Sequence, residues 1–159
     1  MNVTTALIIV RDNLKVSISD PYIVAGSAAR STDWIYFEEP IQSSKYPIIE
    51  ITRIDANSEV IDIGPNYMLH EQVPFIIWFS AKNGFKVTVD TVEYVNAQLV
   101  GYYLDLIKAT IKQQHSTLYA AGVKEIKPVK LTKIEYDPDT QIYYGGVLCN
   151  GAFYERYNA

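Results

Sequence analysis

Cysteine and histidine are scarce in this chain, and their scarcity excludes several kinds of site. Among the 159 residues there is one cysteine, Cys149, so no disulfide can form within the chain. The two histidines, His70 and His115, lie far apart, and neither has a second histidine or cysteine at ligand spacing. A structural zinc site needs about four such ligands. The sequence therefore predicts no zinc site and no disulfide framework, and it requires no cofactor.

Concentrated positive charge is missing too. The chain has 14 Lys and Arg against 18 Asp and Glu, a net charge of −4, and no basic run. A grip on nucleic acid through its phosphates is therefore not expected. A mildly acidic surface is compatible with DNA that passes by without being held.

Long apolar runs are absent as well. The apolar stretch over residues 6–10 is too short to span a bilayer, and neither a basic leader nor a small-residue cleavage site accompanies it. We expect a protein that is neither exported nor inserted in a membrane. A composition of 48% hydrophobic and 20% charged residues predicts a single globular domain over residues 1–159. The 13 tyrosines suit half-buried sheet faces or protein–protein interfaces equally well.

Catalytic patterns were not found. No Gly-x-Ser-x-Gly elbow and no phosphate-binding glycine loop is present. Asp55, Glu59 and Asp62 cluster, but they do not follow the spacing of a calcium-binding loop. A nuclease would pair an acid such as Glu50 with a Glu-x-Lys on the next strand. The nearest Glu-x-Lys in this chain, at residues 125–127, follows an expected helix and not a strand. The sequence therefore predicts a protein that is not an enzyme.

The first half of the chain reads as one ambiguous segment followed by strands. Residues 4–16 fit a short helix or a strand, and residues 25–33 a polar loop. Strands are expected over residues 34–37, 46–54 and 71–81. The last is apolar enough to be covered on both faces, with Pro74 at its start. Residues 55–68 read as a polar loop, and residues 82–84 as a turn.

A long helix is expected over residues 90–115. Asp90 suits an N-cap, and Glu93 three residues later completes a capping box. Apolar residues then recur at spacings of three and four, basic residues follow near the end, and Gly122 marks a stop.

The end of the chain reads as an antiparallel hairpin. Alternating residues 123–136 lead through a turn at residues 137–140 into a strand over residues 142–157. Gly145-Gly146 and Asn150-Gly151 suggest a bulge or bend there. The expected fold is α+β, a small antiparallel or mixed sheet with the long helix and a shorter N-terminal element on one face.

The order of these elements resembles the tail-terminator (tail-completion, neck) proteins of long-tailed phages and related archaeal viruses. The resemblance covers residues 45–157. It consists of the strand Tyr-Pro-Ile-Ile-Glu-Ile-Thr-Arg at 46–53, the polar loop, the apolar strand at 73–80, the long helix and the closing hairpin. That hairpin ends in Tyr-Glu-Arg-Tyr at 154–157. The first 45 residues do not match the amphipathic helix with which such proteins begin.

The resemblance implies a structural virion protein of the tail or neck, assembled in the host cytoplasm. Such proteins form hexameric rings that cap the tail tube and join it to the head connector or head-closure protein, while genome DNA passes through. The implied partners are thus further copies of this chain, the tail-tube protein and the connector. The surface residues that we expect at these contacts are Asp55, Glu59, Asp62, Asn66, Tyr67, Tyr154 and Arg156.

Three other interpretations remain open at this point. A head-closure or other connector protein belongs to the same class. A small cellular α+β binding module without catalysis would have the same composition. A divergent nuclease would use Glu50 or Glu125.

Overall fold

The computed structural model describes residues 3–38, 46–54, 57–60, 66–123 and 125–158. The helices of this part are α1 (Val3–Ser17), α2 (Pro21–Val24), α3 (Asn96–Gln113) and α4 (His115–Ala120). Its strands are β1 (Ile35–Phe37), β2 (Ile48–Arg53), β3 (Asn57–Val60), β4 (Asn66–Lys82), β5 (Lys86–Val89), β6 (Val92–Val95), β7 (Glu125–Leu131), β8 (Glu135–Asp137) and β9 (Ile142–Asn158).

Most of the strands form one mixed sheet in the order β1-β2-β4-β9-β7, with β3 beside β4 and β8 beside β9. β1 and β2 run parallel, and the other neighbours in this sheet are antiparallel. β5 and β6 form a separate two-stranded hairpin. The expected α+β class, with a mixed sheet, is confirmed.

The core lies between the helices and one face of this sheet. Alternate residues of β4 are fully buried, and they pack with Leu7 and Leu14 of α1 and with Leu104 and Ile107 of α3. Alternation follows from strand geometry, since successive side chains point to opposite faces. The buried sheet residues are Ile49, Ile51, Val73, Phe75, Ile77, Phe79, Ala81, Val147 and Cys149. We call this the helix face.

The ambiguous N-terminal segment is a helix. The residues of α1 that are buried recur at helical spacing: Val3, Ala6, Leu7, Val10 and Leu14. After it, the Asp20 carboxylate accepts a hydrogen bond from the Tyr22 N–H at 3.0 Å and caps α2. Arg30, with 1% of its side chain exposed, binds both oxygens of Asp20 at 2.8 and 2.6 Å.

The prediction that the long helix begins at Asp90 is wrong. Asp90 and Thr91 have φ of 49° and 68°, the left-handed pair that closes a two-residue hairpin turn between β5 and β6. Glu93 therefore lies in a strand, where its carboxylate is 3.6 Å from Lys86 Nζ, and no capping box exists. Val87 and Val89 alternate as a strand does, but Val92 and Val95 are three residues apart, a spacing that also fits a helix and hides the hairpin.

The helix begins at Asn96 instead and is broken near its expected end. Asn96 has φ of 55°, and its Oδ1 accepts a hydrogen bond from Gly84 N–H at 2.9 Å, which ties the helix start to the base of the hairpin. α3 ends at Gln113, and α4 continues from His115. Gly122 (φ 105°) follows α4, as expected of a helix stop.

Three expectations for the middle strands are also wrong. β4 is 17 residues long and starts inside the expected loop, which also contains β3. Pro74 stands in its middle, opposite Asn150, rather than at its start. The strand is not covered equally on both faces, because Pro74, Ile76, Trp78 and Ser80 are only half-buried.

The bulge that was expected in the last strand lies in the neighbouring strand β7. β9 pairs with β4 without interruption from Ile142 to Asn158, whereas the register shift lies in β7 between Pro128 and Lys130. The glycines of β9 allow close packing instead. A Cβ at Gly145 would lie 2.9 Å from Leu104 Cδ1, and a Cβ at Gly146 would lie 2.6 Å from Ile76 Cγ2. The turn at residues 137–140 is confirmed, with Asp137 accepting from Asp139 N–H and Thr140 Oγ1.

Candidate interaction surface

The β4–β9 pair is far longer than the helix that covers it. Each strand has 17 residues, about 56 Å at 3.3 Å per residue. α3 has 18 residues, about 27 Å. In the part of β4 whose burial the structure describes, residues 73–82, the buried helix-face residues are Val73, Phe75, Ile77, Phe79 and Ala81. We call the part beyond them the ribbon extension: residues 57–60 of β3, 66–72 of β4 and 152–158 of β9.

The extension brings together residues that are distant in sequence. Glu59 is the Cα partner of His70, and His70 is the partner of Tyr154 on its other side. Asn66 pairs with Asn158, Tyr67 with Tyr157 and Met68 with Arg156. Thus Glu59, Asn66, Tyr67, Tyr154 and Arg156 of the predicted interface all lie on one three-stranded element. Asp55 and Asp62 lie outside the described residues.

Both outer edges of the extension lack a neighbouring strand in the part of the chain that the structure describes. β3 pairs only with β4. β7 pairs with β9 as far as Ala152, so residues 153–158 of β9 pair only with β4. An edge strand presents backbone N–H and C=O groups that another strand can bind. The extension is thus built for strand addition.

The opposite face of the sheet is a second candidate surface. Glu50 is the Cα partner of Tyr36 and of Trp78, and Trp78 is the partner of Gly146. No helix of the described residues packs against this side of the sheet. We call it the open face, formed by Glu50, Thr52, Ile76, Trp78, Leu148 and Lys130. Ile48 and Ala152 point to the same side but are 1% and 7% exposed, so the face is not exposed along its whole length.

Two polar groups on the open face lack partners. Glu50 is half-buried, and burial raises the pKa of its carboxyl above the ordinary 4.5. No cation lies within ion-pair distance of it in the described part of the chain. The Thr52 hydroxyl is buried without a hydrogen-bond partner. A buried polar group without a partner is costly, and the shielded Thr52 hydroxyl carries this cost within the chain.

A groove of about 630 Å³ separates α1 from the junction of α3 and α4. Its walls carry amides and hydroxyls, and Ile9 and Leu106 contribute apolar surface. The Asn13 Oδ1 atom beside it is buried and has no partner among the described residues. The polar lining residues are Asp12, Asn13, Ser17, Thr110, Gln113, Gln114 and Thr117.

The residues considered for catalysis are not brought together. Glu125 and Lys127 form an ion pair at 2.6 Å on β7, whereas Glu50 lies on β2. Three strand spacings separate β2 from β7, about 14 Å, which is too far for one metal site. Within the described residues no group of three or more His, Cys, Asp or Glu stands together. Burial raises the pKa of the Cys149 thiol to about 12, so at neutral pH it is protonated and a poor nucleophile.

Sequence reasoning predicted the strand that contains the end of β9, but it expected a polar loop where β3 and the start of β4 lie, and it missed the open face. The sequence predicts that Trp78 lies in a strand covered on both faces. An unpaired hydroxyl such as that of Thr52 has no signature in the sequence. No protein-family model matches this chain, and no curated protein matches it either. None of the described helices has the length and apolarity to cross a membrane.

Proposed function

We propose that this protein is a structural virion component, a tail-terminator or neck subunit. In this role copies assemble into a ring that caps the tail tube and joins it to the head connector. The observation that carries the proposal is the ribbon extension with its two open strand edges. The order of strand, apolar strand, helix and closing hairpin supports it through the resemblance described above.

The extension suits a ring because it offers two different edges. One edge is β3, and the other is the end of β9. An edge of one copy that binds a different surface on the next copy makes a head-to-tail contact, and such contacts form a ring when the rotation between copies closes. Strand addition supplies affinity through backbone hydrogen bonds, while side chains along the strands supply specificity. Glu59, Tyr67, Tyr154 and Arg156 are the residues that we assign to specificity.

Removal of the extension tests this proposal. The Ile54 N–H donates to the Pro74 carbonyl at 3.0 Å, so residues 54 and 73 already flank a site that a short turn can bridge. The variant replaces residues 55–72 with Asp-Asn-Gly and ends the chain at residue 152. The Asp is then opposite Val73 in the register of β2 and β4, and Asn-Gly forms a two-residue hairpin turn. A matched control changes Asp90-Thr91, the turn of the β5–β6 hairpin, to Asn-Gly.

Light scattering coupled to size exclusion gives the readout, with thermal unfolding as the check on folding. We expect the natural chain and the control to form the same oligomer, and the shortened variant to be a folded monomer. A folded shortened variant that keeps the natural oligomer would refute the role of the extension.

A small binding module without catalysis is the second candidate, and the groove beside α1 favours it. Amide and hydroxyl groups on both walls fit a neutral polar ligand. In that case a monomer would bind ligand with NMR shift changes confined to Asn13, Thr110 and Gln113. A Thr110→Val variant would abolish those changes, whereas a ring subunit without this activity would show none.

A further inference from the structure

The two outer strands of the main sheet differ in length. β1 on one side has three residues, whereas β7 on the other side has seven and pairs with β9 alone among the described strands. Solvent reaches this edge, since Val129 is 59% exposed and the Lys127 side chain 72%. A long edge strand offers its backbone to the strand of another chain, and a very short one offers little. β7 is therefore the edge at which an unwanted strand could add.

Hydrogen bonds at the end of β7 show which of its backbone groups face outward. The Thr132 N–H donates to the Gly146 carbonyl at 2.8 Å, and the Gly146 N–H donates to Thr132 Oγ1 at 2.9 Å. Backbone groups of successive residues in an antiparallel strand point to opposite neighbours. The even-numbered residues of β9 thus point to β7, and their partners Lys127 and Lys130 point back to β9. Pro128, next to Lys127, faces outward.

The outward backbone of β7 is interrupted at its centre. Pro128 has no N–H, so one donor of the edge is missing. Val129 has no partner in β9, because the register shifts between Pro128 and Lys130. The next regular outward residue, Leu131, therefore comes three positions after Pro128 and not two. A regular strand presents bonding groups at every second residue, so a second strand would lose register here.

Charge adds to this interruption. Lys127 and Lys130 are the partners of Asn150 and Leu148, so both side chains point to the same side of the sheet, and both are exposed. If β7 of two copies paired around a two-fold axis, four such lysines would gather on that side. Like charges on neighbouring strands oppose pairing. The Glu125 carboxylate, 2.6 Å from Lys127 Nζ, offsets part of this charge.

The edges of the extension have none of these interruptions. Residues 57–60 and 153–158 contain no proline. Both segments pair with β4 without a register shift. The features that oppose strand addition are thus concentrated on the main sheet.

We propose that β7 is a guarded edge, at which Pro128, the bulge at Val129 and the two lysines keep β7 of a second copy from pairing with it. Without the guard, two β7 strands would pair antiparallel and join two main sheets into one. With it, strand addition is left to the extension. That last consequence rests on the proposed function, whereas the guard itself does not.

Removal of the guard from the full chain tests this inference. Pro128→Val combined with deletion of Val129 restores the missing N–H and makes the pairing with β9 regular, since residues 127, 128 and 130 then oppose residues 150, 149 and 148. Amide hydrogen exchange over residues 125–131, followed as protein concentration is raised, reports on this edge. A ring formed through the extension leaves these amides unchanged.

We expect exchange over residues 125–131 of the unguarded variant to slow about tenfold or more at high concentration, because outward amides become bonded in a dimer. In the natural chain it should not depend on concentration. Pro128→Val alone is the matched control and should behave like the natural chain, because the bulge and the lysines remain. Thermal unfolding of each variant confirms that it is folded.

A second variant, Pro128→Val with Lys130→Thr, keeps the chain length and covers the case in which the deletion prevents folding. It should slow exchange about threefold, since two parts of the guard are lost and the bulge remains. Folded variants without concentration-dependent slowing would overturn the inference. So would a natural chain in which Ile126 and Leu131 already show that slowing, because the edge would then pair despite the guard. An equal effect from Pro128→Val alone would contradict the roles of the bulge and the lysines.

Discussion

The two faces of the main sheet are made by the same strands, yet they differ throughout. On the helix face Ile51, Ile77 and Val147 are all 0% exposed and pack beneath α1 and α3. One residue along, on the open face, Thr52, Ile76 and Leu148 are half-buried and no described helix packs on them. The comparison teaches that close packing is concentrated on the face that the helices cover, while the strand centres on the other face are packed only in part.

The adjacent Gly145 and Gly146 show the same contrast at one point. Each lacks room for a Cβ, but the obstructing atoms differ. At Gly145 they belong to Val100 and Leu104 of the packed α3. At Gly146 they belong to Ile76 and Trp78, which are half-buried. Gly145 is thus required because side chains of α3 pack directly against it in the core. Gly146 is required because Ile76 and Trp78 lie directly over it on the open face.

Truncation of neighbouring aromatic residues on β4 should separate the faces most strongly. Phe79 is 0% exposed and stacks on Tyr103 with ring centroids 4.5 Å apart. Phe79→Ala should cost about 3–5 kcal/mol, because a cavity remains in the core. Trp78→Ala should cost about 1–2 kcal/mol, because its ring is half-buried and solvent fills the space. Urea unfolding of both variants measures the difference, and equal losses would contradict a one-sided core.

Alanine at the two glycines should give a smaller difference in the same direction. Gly145→Ala should cost about 1–3 kcal/mol, because Leu104 and Val100 have no free space to enter. Gly146→Ala should cost less than about 1 kcal/mol, because the side chains above it can turn outward and alanine reduces the entropy of the unfolded chain. Denaturant midpoints provide the test. A larger loss at Gly146 would mean that the open face is packed as tightly as the core.

The smallest effect should come from two carboxyls with opposite pKa changes. Hydrogen bonds from Arg53 at 2.7 Å lower the pKa of Glu38, so its stabilising effect exists above the ordinary 4.5 and is lost as pH falls below it. Burial raises the pKa of Glu50, so the stability associated with its protonated form is lost as pH rises above 4.5.

Glutamine variants at the two positions should therefore respond to pH in opposite ways. Between about pH 4 and about pH 8, Glu50→Gln should gain stability relative to the natural chain, and Glu38→Gln should lose it. Thermal unfolding across this range, at a concentration where the natural chain is monomeric, measures both. If the stability of the two variants, relative to the natural chain, changed with pH in the same direction, Glu50 would already have a cationic partner.

The sequence predicted the elements better than their limits. Apolar spacing was sufficient for the strands at 34–37 and 46–54, and for a helix that packs on the sheet. The prediction failed at residues 90–96. Asp90 and Glu93 have the spacing of a capping box, but the same residues also fit a hairpin whose two-residue turn has left-handed backbone conformations. It failed at Pro74 because only tertiary pairing shows that the pyrrolidine ring is accommodated within a strand.

The surfaces were harder to predict than the fold. Glu59, Asn66, Tyr67, Tyr154 and Arg156 were chosen as separate polar or aromatic positions. Their common place on the extension depends on the register between β3, β4 and β9, which the local sequence does not encode. The open face depends on which side the helices cover, and α1 and α3 cover the same side. Both features are products of long-range pairing.

Electron microscopy of negatively stained natural chain tests the proposed role most directly. The account predicts closed rings with a central opening, and it predicts that the variant lacking residues 55–72 and 153–159 forms none while remaining folded. Rings of unchanged diameter from that variant would contradict the assignment of ring contacts to the extension. Natural chain that forms no closed ring at its highest soluble concentration would contradict the ring itself.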